Sequence, residues 1–288
     1  MDFAAVIFIQ VLFAIASLAL ISLGLAIIFG MMRVINFAHG EFLMMGGFTT
    51  LLLSNAGMNL WVAMFVAAPL LVGLFGVVVE RLIIRRLYGR IFETVLATWG
   101  LSLLMIGVAS VTVGYYQSTM QAPLGSVAIG NYRESGYTFF VIAVAILVLG
   151  GVYFGLRFTR FGLLARGTMQ NPAMAAALGV NTGRVYAVTF FVGSALSGLA
   201  GAVLTPLVSV SPVIGFSYIA RAFITVIGGG AVALSGTISA SALFGSISQF
   251  VAFATTPVVG EVALLIAAII LIRILPEGIT GRFFRRGL

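Results

Sequence analysis

Nine residues between two strongly apolar runs, Arg33-Val34-Ile35-Asn36-Phe37-Ala38-His39-Gly40-Glu41, bring together a base, an amide, the chain's only histidine and an acid. Such a group offers two kinds of chemistry: proton transfer by His39 and Glu41, or recognition of a polar solute by side chains and freed backbone dipoles. Ionisable groups at membrane depth are costly, so they face a bundle interior, pair with each other, or line water. Two readings of the stretch stand. In one it is a cytoplasmic turn, with Arg33 and Glu41 among lipid headgroups and His39 solvated. In the other it is a break in a helix, where Gly40 lets the backbone turn and a following helix aims its positive N-terminal dipole at whatever passes. On that reading Asn36, Phe37, His39, Gly40 and Glu41 line a permeation pathway.

A second interruption lies near the other end of the chain, where Gly228, Gly229 and Gly230 are followed by Ser235 and Gly236. Matched interruptions in two halves of a transporter point toward its pathway. The competing reading is that these glycines mark close helix packing. Gly193, Ser197 and Gly201 fall four apart on one helix face, and there close approach of a neighbouring helix is the expected role.

A third stretch suits contact with a partner rather than chemistry. In Gln170-Asn171-Pro172-Ala173-Met174-Ala175-Ala176-Ala177-Leu178-Gly179, Asn171 can cap a helix that begins at Pro172, alanines favour it, and Gly179 can end it. About two turns result, too short to persist alone, so packing must hold them. The small, mostly uncharged side chains suit insertion into a groove on another protein. A helix lying on the membrane surface would want a basic face and bulky apolar residues.

The elements that position these stretches follow from composition. The 288 residues are 61% hydrophobic and 8% charged, with a mean hydropathy of +1.21, outside the range of soluble domains. A bilayer-spanning helix needs roughly 20 mostly apolar residues, and such runs recur. Candidate spans fall at about 5–30, 41–54, 61–79, 92–114, 137–155, 185–209, 219–234, 237–255 and 259–275. An all-α polytopic membrane protein of eight or nine spans follows, with 41–54 or 219–234 broken or re-entrant. The opening run has no basic leader segment and reads as the first span.

All 15 basic residues are arginine. Those at 81, 85, 86 and 90, at 157, 160, 166 and 184, and at 282, 285 and 286 mark cytoplasmic segments, while the opposite side carries Arg133 and, near a span end, Arg221. With nine crossings the N-terminus lies outside and the C-terminus inside. The basic pI of about 10.6 is therefore a topology signal and gives no reason to invoke nucleic acid. No lysine is present to serve a P-loop, and no cysteine to form disulfides, bind zinc or act as a nucleophile. A lone histidine gives no metal cluster, so no cofactor is expected on this chain and an enzyme is disfavoured. A proton-coupled secondary transporter or channel remains the rival, with His39 and Glu41 as its proton sites. The other acids, Asp2, Glu80, Glu93, Glu134, Glu261 and Glu277, sit near predicted span ends and offer little relay.

At these stretches the chain resembles the permease subunits of ABC importers for branched-chain amino acids, a family that also includes urea and short-chain amide permeases. Asn36-Phe37-Ala38-His39-Gly40-Glu41 is similar to its N-terminal signature. Met174 to Val185 is similar to its cytoplasmic coupling segment, and Leu275-Pro276-Glu277-Gly278-Ile279 to its closing motif. Met174 stands where many relatives have glutamate, and the Gln170-Asn171 pair is similar to the urea branch. The resemblance implies a single permease domain over 1–288 in the cytoplasmic membrane of a bacterium, with a coupling loop at about 157–184. Its coupling contacts would be Gln170, Asn171, Pro172, Met174, Ala175, Ala176, Leu178 and Gly179. It further implies a second homologous permease chain, two cytoplasmic ATPase subunits that hold ATP and magnesium, and an extracytoplasmic substrate-binding protein.

Overall fold

The computed structural model describes residues 2–114, 118–230 and 232–283, so Arg285 and Arg286 of the basic tail lie outside the described residues. Among the described residues, seven helices are long and apolar enough to cross a membrane. They begin with α1 (Asp2–Met32), which is apolar on every side and has its middle enclosed: Leu18 to Ile28 are all buried. A helix apolar all round belongs at the centre of a bundle. Along the chain come α2 (His39–Asn55), α3 (Leu60–Leu82), α4 (Ile91–Thr112) and α5 (Gly136–Phe158), and of these four it is α5 that packs along α1. An elbow follows, made of α6 (Arg160–Gln170) and α7 (Pro172–Ala177). The chain then returns as α8 (Thr182–Leu204), α9 (Ile214–Gly229), α10 (Ala233–Ala254) and α11 (Pro257–Ile274), and α12 (Gly278–Phe283) follows.

The two segments that looked short from sequence are the two short helices. At 17 and 16 residues, α2 and α9 rise ~25 Å, against a hydrocarbon core of about 30 Å. Their boundaries differ from the expected ones most at the second: α9 starts at Ile214 and ends at Gly229, and Ala233 already belongs to α10. The expected span of 219–234 ran across that break because an apolar window does not register a glycine that ends a helix.

Inside α3, residues Ala63–Ala67 form a π-helical turn just before Pro69, whose missing N–H removes one ordinary ladder bond. Between α4 and α5 lies a hairpin that the all-helical reading did not contain, β1 (Ser126–Ile129) paired antiparallel with β2 (Tyr132–Ser135). Its two-residue turn opens with Gly130 at a φ of 57°. The hairpin sits on the start of α1, where Phe3 meets Tyr132 and the Gln10 amide donates to the Glu134 carboxylate at 2.9 Å.

The basic loops gather at the opposite end. The Tyr88 ring packs edge-on to Tyr186 of α8 at 5.0 Å, and the Arg85 guanidinium lies against Gly183. The Tyr88 hydroxyl donates to buried Glu80. Burial pushes the Tyr88 phenol well above its ordinary value, and the Glu80 carboxylate adds to the shift. Thus the 81–90 and 157–184 arginines share one side, and the N-terminus and hairpin share the other.

Candidate functional site

Chain reversal after α1 is abrupt. Arg33 takes a φ of 52°, the only positive value among the described non-glycine residues, and ends the helix. Residues 34–38 then run back into the bundle before α2 begins at His39. His39 Nε2 lies 2.8 Å from the Ile21 carbonyl, and Ile21 precedes the end of α1 by about three turns, or ~16 Å along the axis. The helix after the break therefore starts at membrane depth, as the helix-break reading expects. A solvated headgroup turn does not fit, because Asn36, His39 and Glu41 are all 0% exposed.

The break is held by local and distant bonds. The Asn36 side-chain oxygen accepts from the Ala38 amide at 3.1 Å, and its backbone carbonyl accepts from His39 at 3.3 Å. Thr98 of α4 accepts from the Phe37 amide at 3.1 Å. The other imidazole nitrogen, Nδ1, lies 3.2 Å from the Ser197 hydroxyl on α8, which also reaches the Gly193 carbonyl at 2.8 Å. Since a carbonyl only accepts, Nε2 carries the proton in the bond to Ile21. Glu41 lies in the first turn of α2, where the helix dipole favours an acid, and its carboxylate rests near Ser102 and the face of Gly215. Neither of its oxygens has a hydrogen bond of ordinary geometry.

One expectation needs correction. Gly40 is inside the helix and does not make the turn, which falls at Arg33. What Gly40 provides is contact: a β-carbon there would run into the backbone carbonyl of Gly215 at the start of α9. Of the five candidate pathway residues, Asn36, His39, Gly40 and Glu41 are enclosed by the chain's own helices, and Phe37 reaches the bundle surface, stacked on Phe223 at 5.1 Å with Trp99 at 5.6 Å.

Gly228 and Gly229 face α10 and have no room for a side chain: a β-carbon would meet Phe244 from the first and Gly236 from the second. Gly230, at a φ of 86°, ends α9. The residues after α11 fold back onto this break. Thr280 donates to the Gly229 carbonyl at 2.6 Å and accepts from the Val232 amide at 3.2 Å, and Gly278 lies against Gly230. Thus the second interruption and the Leu275–Ile279 motif form one structure at the end of α11. On α8, Gly193 meets Ile28 of α1 and Gly201 meets the Leu43 backbone of α2, so the four-apart stripe is a packing face.

The short helix α7 has the caps its sequence announces. The Asn171 side chain accepts from the Met174 amide at 2.9 Å, and Pro172 occupies the first turn. At the other end Gly179 donates to Ala176 and Val180 to Ala175, with Gly179 at a φ of 84°, the pairing of a Schellman motif. Ala175 is buried, while Gln170, Asn171, Pro172, Ala176 and Gly179 are exposed. Met174 is 58% exposed and Leu178 78%.

Sequence reasoning missed Thr98, Ser197 as a histidine partner, Thr280, and the pairing of Arg221 with Glu261 on α11 at 2.7 Å. For Arg221 and Glu261 a signal existed, since each interrupts an apolar run. Among the described residues, no group of three or more His, Cys, Asp or Glu lies together.

Residues 7–275 match the family described as branched-chain amino acid transport system / permease component. Among curated proteins the chain is 28% identical to the high-affinity branched-chain amino acid transport system permease protein LivH of Escherichia coli K12, over 92% of this chain and 91% of the relative. It is 28% identical to the probable branched-chain amino acid transport permease protein LivH of Methanocaldococcus jannaschii, over 92% and 88% respectively. To the high-affinity permease protein BraD of Pseudomonas aeruginosa it is 27% identical over 92% and 91%. No solved structure matches. With its apolar helices and a match along most of its length, the chain is a multi-pass permease of the cytoplasmic membrane and belongs to the branched-chain amino acid transport system permease components, the ABC-importer family its motifs resemble.

Proposed function

We propose that this chain carries branched-chain amino acids inward as one permease of an ABC importer, with α7 as the mechanical contact to the ATPases. The observation that carries the reading is α7 itself. It is a helix of six residues capped at both ends, anchored by Ala175, and presenting Met174 and Leu178 to solvent one turn apart. Exposed apolar side chains on a rigid cytoplasmic helix fit a groove on a soluble partner. The relatives' names favour branched-chain amino acids over urea or amides as cargo.

On this proposal residues 1–288 form a single permease domain with its coupling loop at about 157–184. The complex contains a second homologous permease, two ATPase subunits and an extracytoplasmic binding protein that sets most of the selectivity. ATP and magnesium act on the ATPases, and this chain performs no hydrolysis. The enclosed Asn36, His39, Gly40 and Glu41 hold the helix break in place and so fix Phe37 at the pathway, while Gly228 to Gly230 fix the inner end of α9. The test is reconstitution in proteoliposomes with two partner ATPase subunits, a second permease and a leucine-binding protein. Uptake of leucine that requires ATP and binding protein is expected. Uptake by the isolated chain, driven by a proton gradient, would instead establish the secondary-transporter reading.

A further inference from the structure

Arg221 on α9 and Glu261 in the second turn of α11 form an ion pair that the packing of the bundle does not cover. Their side chains are 37% and 42% exposed in an otherwise apolar wall. Charged side chains within membrane segments face water or the bundle interior, and exposing such a pair to lipid is costly. The face beside the pair has a definite order. At about 100° per residue, Arg221 stands at one edge of the exposed side of α9 and Phe216 and Phe223 at the other; between them lie Ser217 and Ala220 within a turn of Arg221, with Val213 before them and Ile224 and Ile227 after. That far edge is aromatic and continuous with the helix break. Phe223 stacks on Phe37 at 5.1 Å, and Trp99 contacts both Phe37 and Phe216, at 5.6 and 6.4 Å.

We propose that this face of α9 lines the permeation pathway, and that Arg221 and Glu261 receive the carboxylate and ammonium of a zwitterionic α-amino acid while the aromatic edge takes its apolar side chain. The inference rests on the importer reading and adds the contact surface for the substrate. Charge complementarity selects the ligand, because the pair offers one positive and one negative group side by side and the zwitterion offers the same two. Small Ser217 and Ala220 leave space between the charged and aromatic edges. Half-exposed charges already paired with each other release a ligand easily, as a conduction site must. A neutral solute such as urea would gain nothing from opening the pair.

The chain contains no cysteine, so single cysteines can report water access. In the complete reconstituted complex, Ser217→Cys should react with a charged methanethiosulfonate reagent at least tenfold faster than Leu147→Cys, a position 74% exposed on α5. Leucine-loaded binding protein with ATP should slow that reaction several-fold. Equal rates at the two positions would overturn the proposal. Arg221→Gln and Glu261→Gln should each lower the leucine carried per ATP hydrolysed at least fivefold. An unchanged ratio, with uptake and hydrolysis falling together, would mean a purely structural pair and also overturn it. Failure of the importer reading has a separate signature, the absence of ATP-driven leucine uptake by the unaltered complex.

Discussion

The His39 imidazole and the Ser197 hydroxyl, 158 positions apart in sequence, meet at 3.2 Å in the middle of the bundle, and through them the start of α2 is fastened to α8. The second imidazole nitrogen is fastened to α1 at Ile21, so one side chain ties three helices at the chain reversal.

His39→Ala should therefore act on stability first. It leaves a buried carbonyl and a buried hydroxyl with fewer partners and opens a cavity, a loss of about 2–4 kcal/mol. Ser197→Ala removes the hydroxyl's contacts with His39 and with the Gly193 carbonyl of its own helix, opens less space, and should cost about 1–2 kcal/mol. Denaturant unfolding of the purified chain in detergent, followed by tryptophan fluorescence, measures both. Unaltered stability in His39→Ala would show that the three-helix tie carries no weight.

Gly40→Ala should be harmful although it is the smallest possible change and favours helix in itself. Its methyl group meets the Gly215 backbone, which cannot rotate away. Overpacking of this kind costs about 1–3 kcal/mol, and α9 would have to move. Gly100→Ala, where open space surrounds the added carbon, is the control and should be neutral or slightly stabilising. Melting temperatures of the two variants decide the point.

Asn171→Ala removes the side-chain acceptor for the Met174 amide and should cost about 1 kcal/mol of helix stability. Faster amide hydrogen exchange over 173–178 is the expected readout. Leu178→Asp leaves the caps in place but puts a charge on the outward face. It should lower ATP-driven uptake at least tenfold while the chain still inserts, and normal uptake by that variant would remove α7 from the ATPase contact. Ala176→Arg should behave the same way.

Sidedness is predicted by the arginines. A cysteine at Gly167, in exposed α6, should resist a membrane-impermeant maleimide in intact cells, and one at Gln121, beside the hairpin, should label readily. The reverse pattern would invert the topology.

Much of this was legible in the sequence for local reasons. Composition alone required a membrane bundle. The α7 helix was legible to the residue at both ends, because a cap is formed between neighbours three to five positions apart. The break before α2 was legible because an amide, a histidine and an acid between apolar runs need an explanation that few structures supply. The β-hairpin was missed because two four-residue strands carry too short a pattern to stand out from a polar loop.

What only the tertiary structure decided is which group meets which. Sequence placed a glycine at position 40 and gave it a turn. The bend fell instead at Arg33, and Gly40 proved to be where another helix's backbone passes. His39 and Glu41 looked alike as candidate proton sites, yet His39 has partners on two other helices and Glu41 has no hydrogen bond of ordinary geometry. Arg221 and Glu261 each looked like a span-end charge until α9 and α11 brought them together. Composition and capping act through the chain's nearest neighbours and can be read in order along it. Contacts across 40 to 175 residues depend on helix faces that many apolar sequences satisfy equally, and only the packed bundle chooses among them.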